Sequence, residues 1–359
     1  MNKDINHELQ IKPIELAETL PSSFYTEDEF LKADKEIIFS NTWQYIGSVS
    51  QLNNSGDYIV DKISDNPIII VKGDDRVIRG FYNVCIHRAG PIAYENGNSN
   101  VLKCKYHGWT YNHQGKLIGL PEFEGVQDFD KNNCSLNKIN VEIWEGLIFA
   151  NLSENPKPLN DFFSGIKERI SPIQLSTKKF HTRIIYDIKC NWKVYVDNYL
   201  EGYHLYHVHP ELSELLDYKS YTTEVDEYYS LQYSAFKGND NLYNANDGEA
   251  FYYFVYPNFM LNILPGRLQT NMVIPQSVNH TKVVFDYYYD DTESQTAKET
   301  IKNDLEYSDI VQDQDIKICQ HVQSGLESKS YNKGRLSVKR ELGLYHFQNL
   351  IRKSYLNNL

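Results

Sequence analysis

"CIHRAGPIAYENGNSNVLKCKYHGWTY", residues 85–111, sets Cys85-x-His87 sixteen residues ahead of Cys104-x2-His107. Two thiols and two imidazoles on two short loops form a metal-binding set. One zinc ion held tetrahedrally by two Cys and two His would satisfy it. So would a two-iron cluster with one iron on the thiolates and the other on the imidazoles. There the neutral imidazoles remove negative charge and raise the reduction potential. Gly90-Pro91 and Gly108-Trp109 follow the two pairs and suit tight loops whose backbone N–H groups face bridging sulfides. Both readings place the two pairs on loop tips, between short strands.

The flanking sequence has that character. From 43 to 155 it runs in short strands punctuated by Asn, Gly and Asp: "WQYIGSV", "GDYIVDKI", "NPIIIVKGDD", "VIRGFYNV" and "VEIWEGLIFANL". Strands at this spacing predict a small antiparallel sandwich or barrel. Ahead of it, "SFYTEDEFLKADKEIIFSNTW" (23–43) reads as a helix, with Thr26 and Glu29 at capping-box spacing. "SENPKPLNDF" (153–162), with its two prolines, marks a junction. Beyond it come "FHTRIIYDIKCNWKV", "AFYYFVYPNFMLNIL", "RLQTNMVIPQ" and "TKVVFDYYYDD", then helical patterns over 293–328 and near 338–356. A sheet meander with helices packed on it is α+β. The expected domains are a helical segment 1–42 packed on the C-terminal domain, a β domain 43–155 and an α+β domain 156–359.

At 359 residues the chain is long enough for two cores. Its net charge of −12 is spread along the sequence, which argues against nucleic acid or an anionic membrane as partner. No apolar run approaches the length of a membrane span, and the polar N-terminus has no signal-peptide pattern, so a cytoplasmic protein is expected. Five cysteines at irregular spacings suggest no disulfide framework, and Cys134, Cys190 and Cys319 are expected to be buried thiols. With no dinucleotide fingerprint, no nicotinamide or flavin is expected on this chain.

A second constellation lies in "DNYLEGYHLYHVHP" (197–210). On a helical wheel His204 and His207 are about 60° apart, whereas His209 is about 140° from His204. Pro210, however, should end the helix before His209 and free that side chain from the wheel. On the 293–328 helix, Val311, Ile318 and Val322 form an apolar stripe that contains Asp315, while Asp309 and Asp313 point away. A carboxylate inside such a stripe needs a cation, so Asp315 is the best acidic candidate and Asp304 the fallback. Two His and one carboxylate on one face are the ligand set of O₂-activating non-haem iron.

Together these motifs resemble the Rieske non-haem iron oxygenases. "NWKVYVDNYLEGYH", "YPNFMLN", "VVFDYYYD" and "VQSGLESKSYNKGRLS" are similar to the large-subunit pattern of that family, especially the branch of choline monooxygenase and other quaternary-ammonium oxygenases. The resemblance implies an N-terminal all-β Rieske domain and a helix-grip-like catalytic domain. It implies a [2Fe-2S] cluster on Cys85, His87, Cys104 and His107, and mononuclear iron on His204, His209 and Asp315. Glu201 would bridge the iron of one subunit to the cluster of its neighbour in a head-to-tail ring, commonly a trimer. Asp197 is the alternative bridge or a hydrogen-bond partner of a ligand histidine, and Asn198 an orienting residue. Electrons would come from a separate NAD(P)H-dependent flavin/iron–sulfur reductase.

The implied reaction is O₂-dependent hydroxylation or oxidative N-demethylation of a choline-, betaine- or carnitine-like compound. A quaternary ammonium needs aromatic faces. Tyr203, Tyr206, Tyr253, Phe254, Tyr256 and Phe259 are the candidate pocket residues, with His207 beside them and Arg267 for a carboxylate. An aromatic substrate for ring hydroxylation or O-demethylation is the alternative, and a non-catalytic Rieske or zinc protein the distant one.

Overall fold

The computed structural model describes residues 5–209, 220–236 and 248–357. The chain divides into two compact units, Phe39–Asn160 and Met1–Ile38 with Asp161–Leu359. The boundaries expected at 42/43 and 155/156 fall slightly inside these limits.

The Phe39–Asn160 unit is built on a seven-stranded antiparallel sheet. Its spatial order is Gln44–Ser48, Leu147–Asn151, Lys138–Trp144, Ile78–Tyr82, Asn66–Lys72, Asp57–Ile63 and Gly97–Asn98. The run "PIIIV" is apolar throughout because its strand is buried on both faces. Ile68 and Ile70 enter one core with Ile46, Ile59 and Ile148, while Ile69 and Val71 enter another with Phe81, Trp109 and Tyr111. Glu145-Gly146 forms the two-residue hairpin turn that sets Trp144 opposite Leu147, with φ of 46° and 80°. A three-stranded sheet, Leu102–Lys103, Thr110–Tyr111 and Leu117–Gly119, carries the second Cys/His pair in the loop between its first two strands.

The larger unit holds a seven-stranded antiparallel sheet. Its order is Lys179–Ile188, His280–Tyr289, Arg267–Ser277, Phe259–Leu264, Glu249–Val255, Tyr229–Ala235 and Thr222–Val225. The helix Gln295–Leu326 is capped by Ser294, whose hydroxyl accepts from the Ala297 N–H at 3.2 Å. A shorter helix, Trp192–Tyr199, is capped by Asn191 through the Lys193 N–H at 3.0 Å. The final helix is Leu342–Leu356.

Two local expectations are corrected. The N-terminal segment is not one helix with a Thr26–Glu29 box. Helices Ser23–Thr26 and Asp28–Ala33 are separated by Glu27 in extended conformation, and the Thr26 hydroxyl donates back to Ser22 O at 3.0 Å. The apolar stripe of the long helix is also not its buried centre. Val322 is 45% exposed, and the buried face is Ile301, Asp304, Gln312, Cys319, Gln323 and Leu326. Its polar members are tolerated there because they are paired: Gln323 Oε1 accepts from Asn191 N (2.8 Å), and Gln312 Oε1 from Tyr195 Oη (2.8 Å). Asp304 lies 3.1 Å from Arg267 Nε.

Candidate active site

The smaller unit gathers Cys85, His87, Cys104 and His107 at its loop tips. Each loop closes on itself: Cys85 N–H donates to Gly90 O (2.8 Å) and Cys104 N–H to Trp109 O (2.8 Å). Gly108 takes φ +74°, a left-handed conformation that spares glycine the Cβ penalty. Both thiols are buried. The imidazole centroids of His87 and His107 are 4.8 Å apart, and His87 stacks on Trp109 at 4.6 Å.

Several details fit a sulfur–iron cluster. His87 Nδ1 is buried without a hydrogen-bond partner among the described residues. Tyr106 N–H donates to Cys104 Sγ (3.4 Å), and the Tyr111 hydroxyl lies 3.1 Å from Cys85 Sγ. Burial pushes the Cys85 thiol up, while the Tyr111 hydroxyl and the His87 N–H pull it down by favouring the thiolate. A Cβ on Gly90 would come within 2.7 Å of Tyr106 Cβ and 3.1 Å of Cys104 Sγ, so the loop has no room for one.

In the larger unit the short helix Leu205–Val208 ends before His209, whose backbone leaves helical geometry at φ −124°, ψ 75°. Pro210, invoked for that ending, lies outside the described residues. The turn brings His209 back beside His204, with ring centroids 5.1 Å apart. Asp315 on the long helix completes the group, and one ligand atom from each of the three lies within 4.8 Å of the others.

Both histidines are oriented from behind. Nδ1 of His204 meets Glu201 Oε1 at 2.6 Å, and Nδ1 of His209 meets Gln314 Oε1 at 2.6 Å. An acceptor at each Nδ1 leaves Nε2 as the free lone pair. Both Nε2 atoms face Asp315 Oδ1, at 3.9 Å and 3.0 Å. Asn198 Nδ2 donates to the same oxygen at 2.7 Å. Glu201 Oε2 also accepts from the backbone N–H of Tyr203 and His204, which fixes the carboxylate at the start of the turn. Two imidazole nitrogens and a carboxylate converging in this way suit one divalent iron with open positions.

This trio opens on a cavity of about 140 Å³ between sheet and helices. Its floor follows from strand periodicity. Gln232, Tyr252, Asn262 and Gln269 are successive cross-strand partners, and Arg267, Gln269 and Asn271 are alternate residues of one strand. The turn Pro265-Gly266, with Gly266 at φ +71°, starts that strand at Arg267. The roof comes from Tyr195, Asn198, Tyr199, Glu201 and His204, and from Tyr307, Ser308, Val311, Gln312 and Asp315 on the long helix. Burial raises the Tyr195 and Tyr199 phenols well above their ordinary range and that of Tyr252 to about 12, so these rings are neutral.

Most pocket residues expected from sequence lie elsewhere. Tyr203, Tyr206 and His207 are exposed and outside the lining. Tyr253 packs on Tyr229 (5.6 Å) and Phe254 on Phe347 (5.3 Å). Tyr256 bonds to Ser354 (2.9 Å), and Phe259 packs near Phe163 (6.3 Å). Arg267 does line the cavity, but paired with the fallback acid Asp304. Asp197 faces neither histidine. Tyr25 Oη donates to it at 2.7 Å and Gln348 Nε2 at 3.3 Å. The aromatic residues missed were Tyr195, Tyr199, Tyr221, Tyr252, Tyr307 and Phe285, and the polar ones include Gln232, Asn262, Gln269, Asn271, Gln312 and Gln314. Alternation narrows a strand to half its residues, and only the sheet's packing selects which half.

With this geometry in place, comparison with known proteins is direct. Residues 42–130 match the Rieske [2Fe-2S] domain family, and residues 175–356 match the family described as ring hydroxylating alpha subunit (catalytic domain). The chain belongs to the Rieske-type oxygenases: oxidoreductase alpha subunits joining a [2Fe-2S] domain to a catalytic domain of the mononuclear-iron type.

Among its relatives are chloroplastic choline monooxygenase of Arabidopsis thaliana and the carnitine monooxygenase oxygenase subunit of Acinetobacter baumannii. The first is 33% identical over 94% of this chain and 83% of the relative, the second 30% over 94% and 95%. The crystal structure of the quaternary ammonium Rieske monooxygenase CntA with L-carnitine superposes with a TM-score of 0.83 at 29% identity, covering 99% of both chains. Naphthalene 1,2-dioxygenase, at 17% identity and a TM-score of 0.75, shares the fold. Among the described residues, no helix is long and apolar enough to cross a membrane.

Proposed function

We propose that this chain is the oxygenase component of a quaternary-ammonium monooxygenase. Cys85, His87, Cys104 and His107 hold the cluster, and His204, His209 and Asp315 hold the iron. When bound, the cluster supplies electrons singly and the iron supplies O₂ activation. The observation that carries the reading is the His204–His209–Asp315 trio opening directly on a tyrosine-walled cavity.

The chain's own residues then have defined tasks. Glu201 and Gln314 orient the two imidazoles, and Asn198 holds the Asp315 carboxylate. Neutral rings from Tyr195, Tyr199, Tyr252 and Phe285 offer π faces to an ammonium group, replacing part of its hydration. The sheet floor and helical roof exclude bulk water from the reacting carbon. Glu201, already bonded to a ligand histidine, would be the link toward a cluster held by a neighbouring subunit, an arrangement that a head-to-tail ring such as a trimer would supply. A separate NAD(P)H-dependent reductase feeds the cluster. The relatives named for choline and carnitine, together with the cavity's aromatic lining, support an N-methylated ammonium substrate over a neutral aromatic one.

The test is substrate-dependent O₂ consumption by the iron-loaded protein with an artificial electron donor. Choline, glycine betaine, L-carnitine and γ-butyrobetaine are compared with benzoate and with 3,3-dimethylbutan-1-ol, the uncharged isostere of choline. At least one ammonium compound should couple O₂ uptake to product, and the isostere should bind at least about tenfold more weakly. Coupling by benzoate and by none of the ammonium compounds would refute the proposal.

A further inference from the structure

The cavity contains one buried cation among its described lining residues, and that cation is already matched. Arg267 is 5% exposed, and its Nε lies 3.1 Å from Asp304 Oδ2, a carboxylate with no solvent contact. Asp304 is held in turn by the Tyr289 hydroxyl at 2.5 Å. A second face of the guanidinium donates to Gln269 Oε1, and Gln269 Nε2 passes the chain on to Asn271 Oδ1 at 2.7 Å. The guanidinium is therefore built into the floor as half of an ion pair. At the other end of the cavity, the carboxylates of Glu201 and Asp315 would balance the two charges of a divalent iron. Among the described lining residues, no other lysine or arginine is left to receive an anion.

Polar groups are present in a different form. Gln232 Oε1, an acceptor, and Gln312 Nε2, a donor, are both buried and both line the cavity. Neither has a hydrogen-bond partner among the described residues. The Gln232 carboxamide is not free to turn, because its Nε2 donates to Tyr199 O, a carbonyl that can only accept; Gln312 Oε1 accepts from Tyr195 Oη at 2.8 Å. A hydroxyl group can donate to the fixed acceptor Gln232 Oε1, whereas a carboxylate can only accept. Leaving a buried acceptor unmet, and burying an anion without a countercharge, are both costly.

Resting on the ammonium reading above, we propose that the Arg267–Asp304 pair sets the substrate class. The cavity takes a quaternary ammonium whose other end is an uncharged hydroxyl, the amino-alcohol class, and rejects ammonium carboxylates. Overall sequence similarity does not separate these classes, because relatives named for choline and for carnitine stand at 33% and 30% identity. Asp304 is the specificity-determining residue, acting through Arg267 and not by touching the substrate.

Equilibrium binding to the full-length, iron-loaded protein without O₂ tests this independently of turnover. Choline should bind at least about tenfold tighter than glycine betaine or L-carnitine. In Asp304→Asn the uncovered guanidinium should move the choline-to-betaine ratio at least about tenfold toward the carboxylates. Wild-type protein that binds betaine or carnitine as tightly as choline would overturn the inference and leave the ammonium reading standing. So would a folded Asp304→Asn protein with an unmoved ratio. The wild-type ratio decides the matter even where Asp304→Asn does not fold. Failure of every ammonium compound to bind would overturn both proposals together.

Discussion

Replacing Asp34 with Asn would expose how much of the larger unit rests on one buried charge. Lys193, in the first turn of the Trp192–Tyr199 helix, sets its ammonium against Asp34 Oδ2, and both side chains are 0% exposed. Trp192 Nε1 donates to that oxygen at 2.9 Å, and Tyr355 Oη to the other at 2.8 Å. Asn keeps the shape and an acceptor, so what is lost is chiefly the countercharge. Stranding a buried ammonium in this way costs about 3–5 kcal/mol. For a unit of this size that is a fall of about 6–20 °C in Tm. Thermal unfolding at pH 7.5 measures it, alongside Lys193→Met and the double variant. The double variant should recover at least about 1 kcal/mol relative to Asp34→Asn, because no charge remains to be matched. An Asp34→Asn protein within 1 kcal/mol of wild type would refute the reasoning. A loss that Lys193→Met does not relieve would place the cost in the Trp192 and Tyr355 bonds instead.

Two further outcomes follow from the site. Burial raises the Asp197 carboxyl to about 7, against the Tyr25, Gln348 and Lys193 contacts that lower it, with Glu341 adding to the rise. Its folded pKa lies above its unfolded one, so its contribution to stability is complete below about pH 4 and is lost as pH rises through 7. The residue keeps some solvent contact, so the loss between pH 5.5 and 8 should be about 1–2 kcal/mol. It should be absent from Asp197→Asn, and parallel unfolding profiles for the two proteins across that range would contradict it. At the trio, Gln314→Leu removes the acceptor from His209 Nδ1 and should weaken Fe(II) or Co(II) binding by about 10–100-fold in titrations of chelator-treated protein, with Gln314→Glu close to wild type. Unchanged affinity in Gln314→Leu would show that Gln314 does not orient the imidazole.

What could be read from sequence was whatever local chemistry dictates. Cys85, His87, Cys104 and His107 announce a metal site because thiols and imidazoles at short spacing on Gly-bearing loops have few other uses. Strand alternation and helix periodicity defined the two β-rich segments and the long helix. Asp315 was reached because a carboxylate on an apolar stripe needs a partner, even though that stripe proved to be the edge of the buried face. The N-terminal cap failed for the opposite reason. Thr26 and Glu29 have the right spacing, but the chain turns at Glu27 before a common helix can form.

The cavity was decided only by the tertiary structure. Periodicity states that alternate residues share a face, yet which face meets the helices depends on how the sheet packs. Tyr252 therefore lines the site, while Tyr253, Phe254 and Tyr256 serve the core. Pairings across more than 30 residues, such as Arg267 with Asp304 and Asn198 with Asp315, leave no trace in local pattern. The residue types that make iron chemistry possible were visible in the sequence itself, because ligand atoms are a property of single side chains. The charge balance that selects a substrate was not, because it belongs to groups brought together only when sheet and helix close on one another.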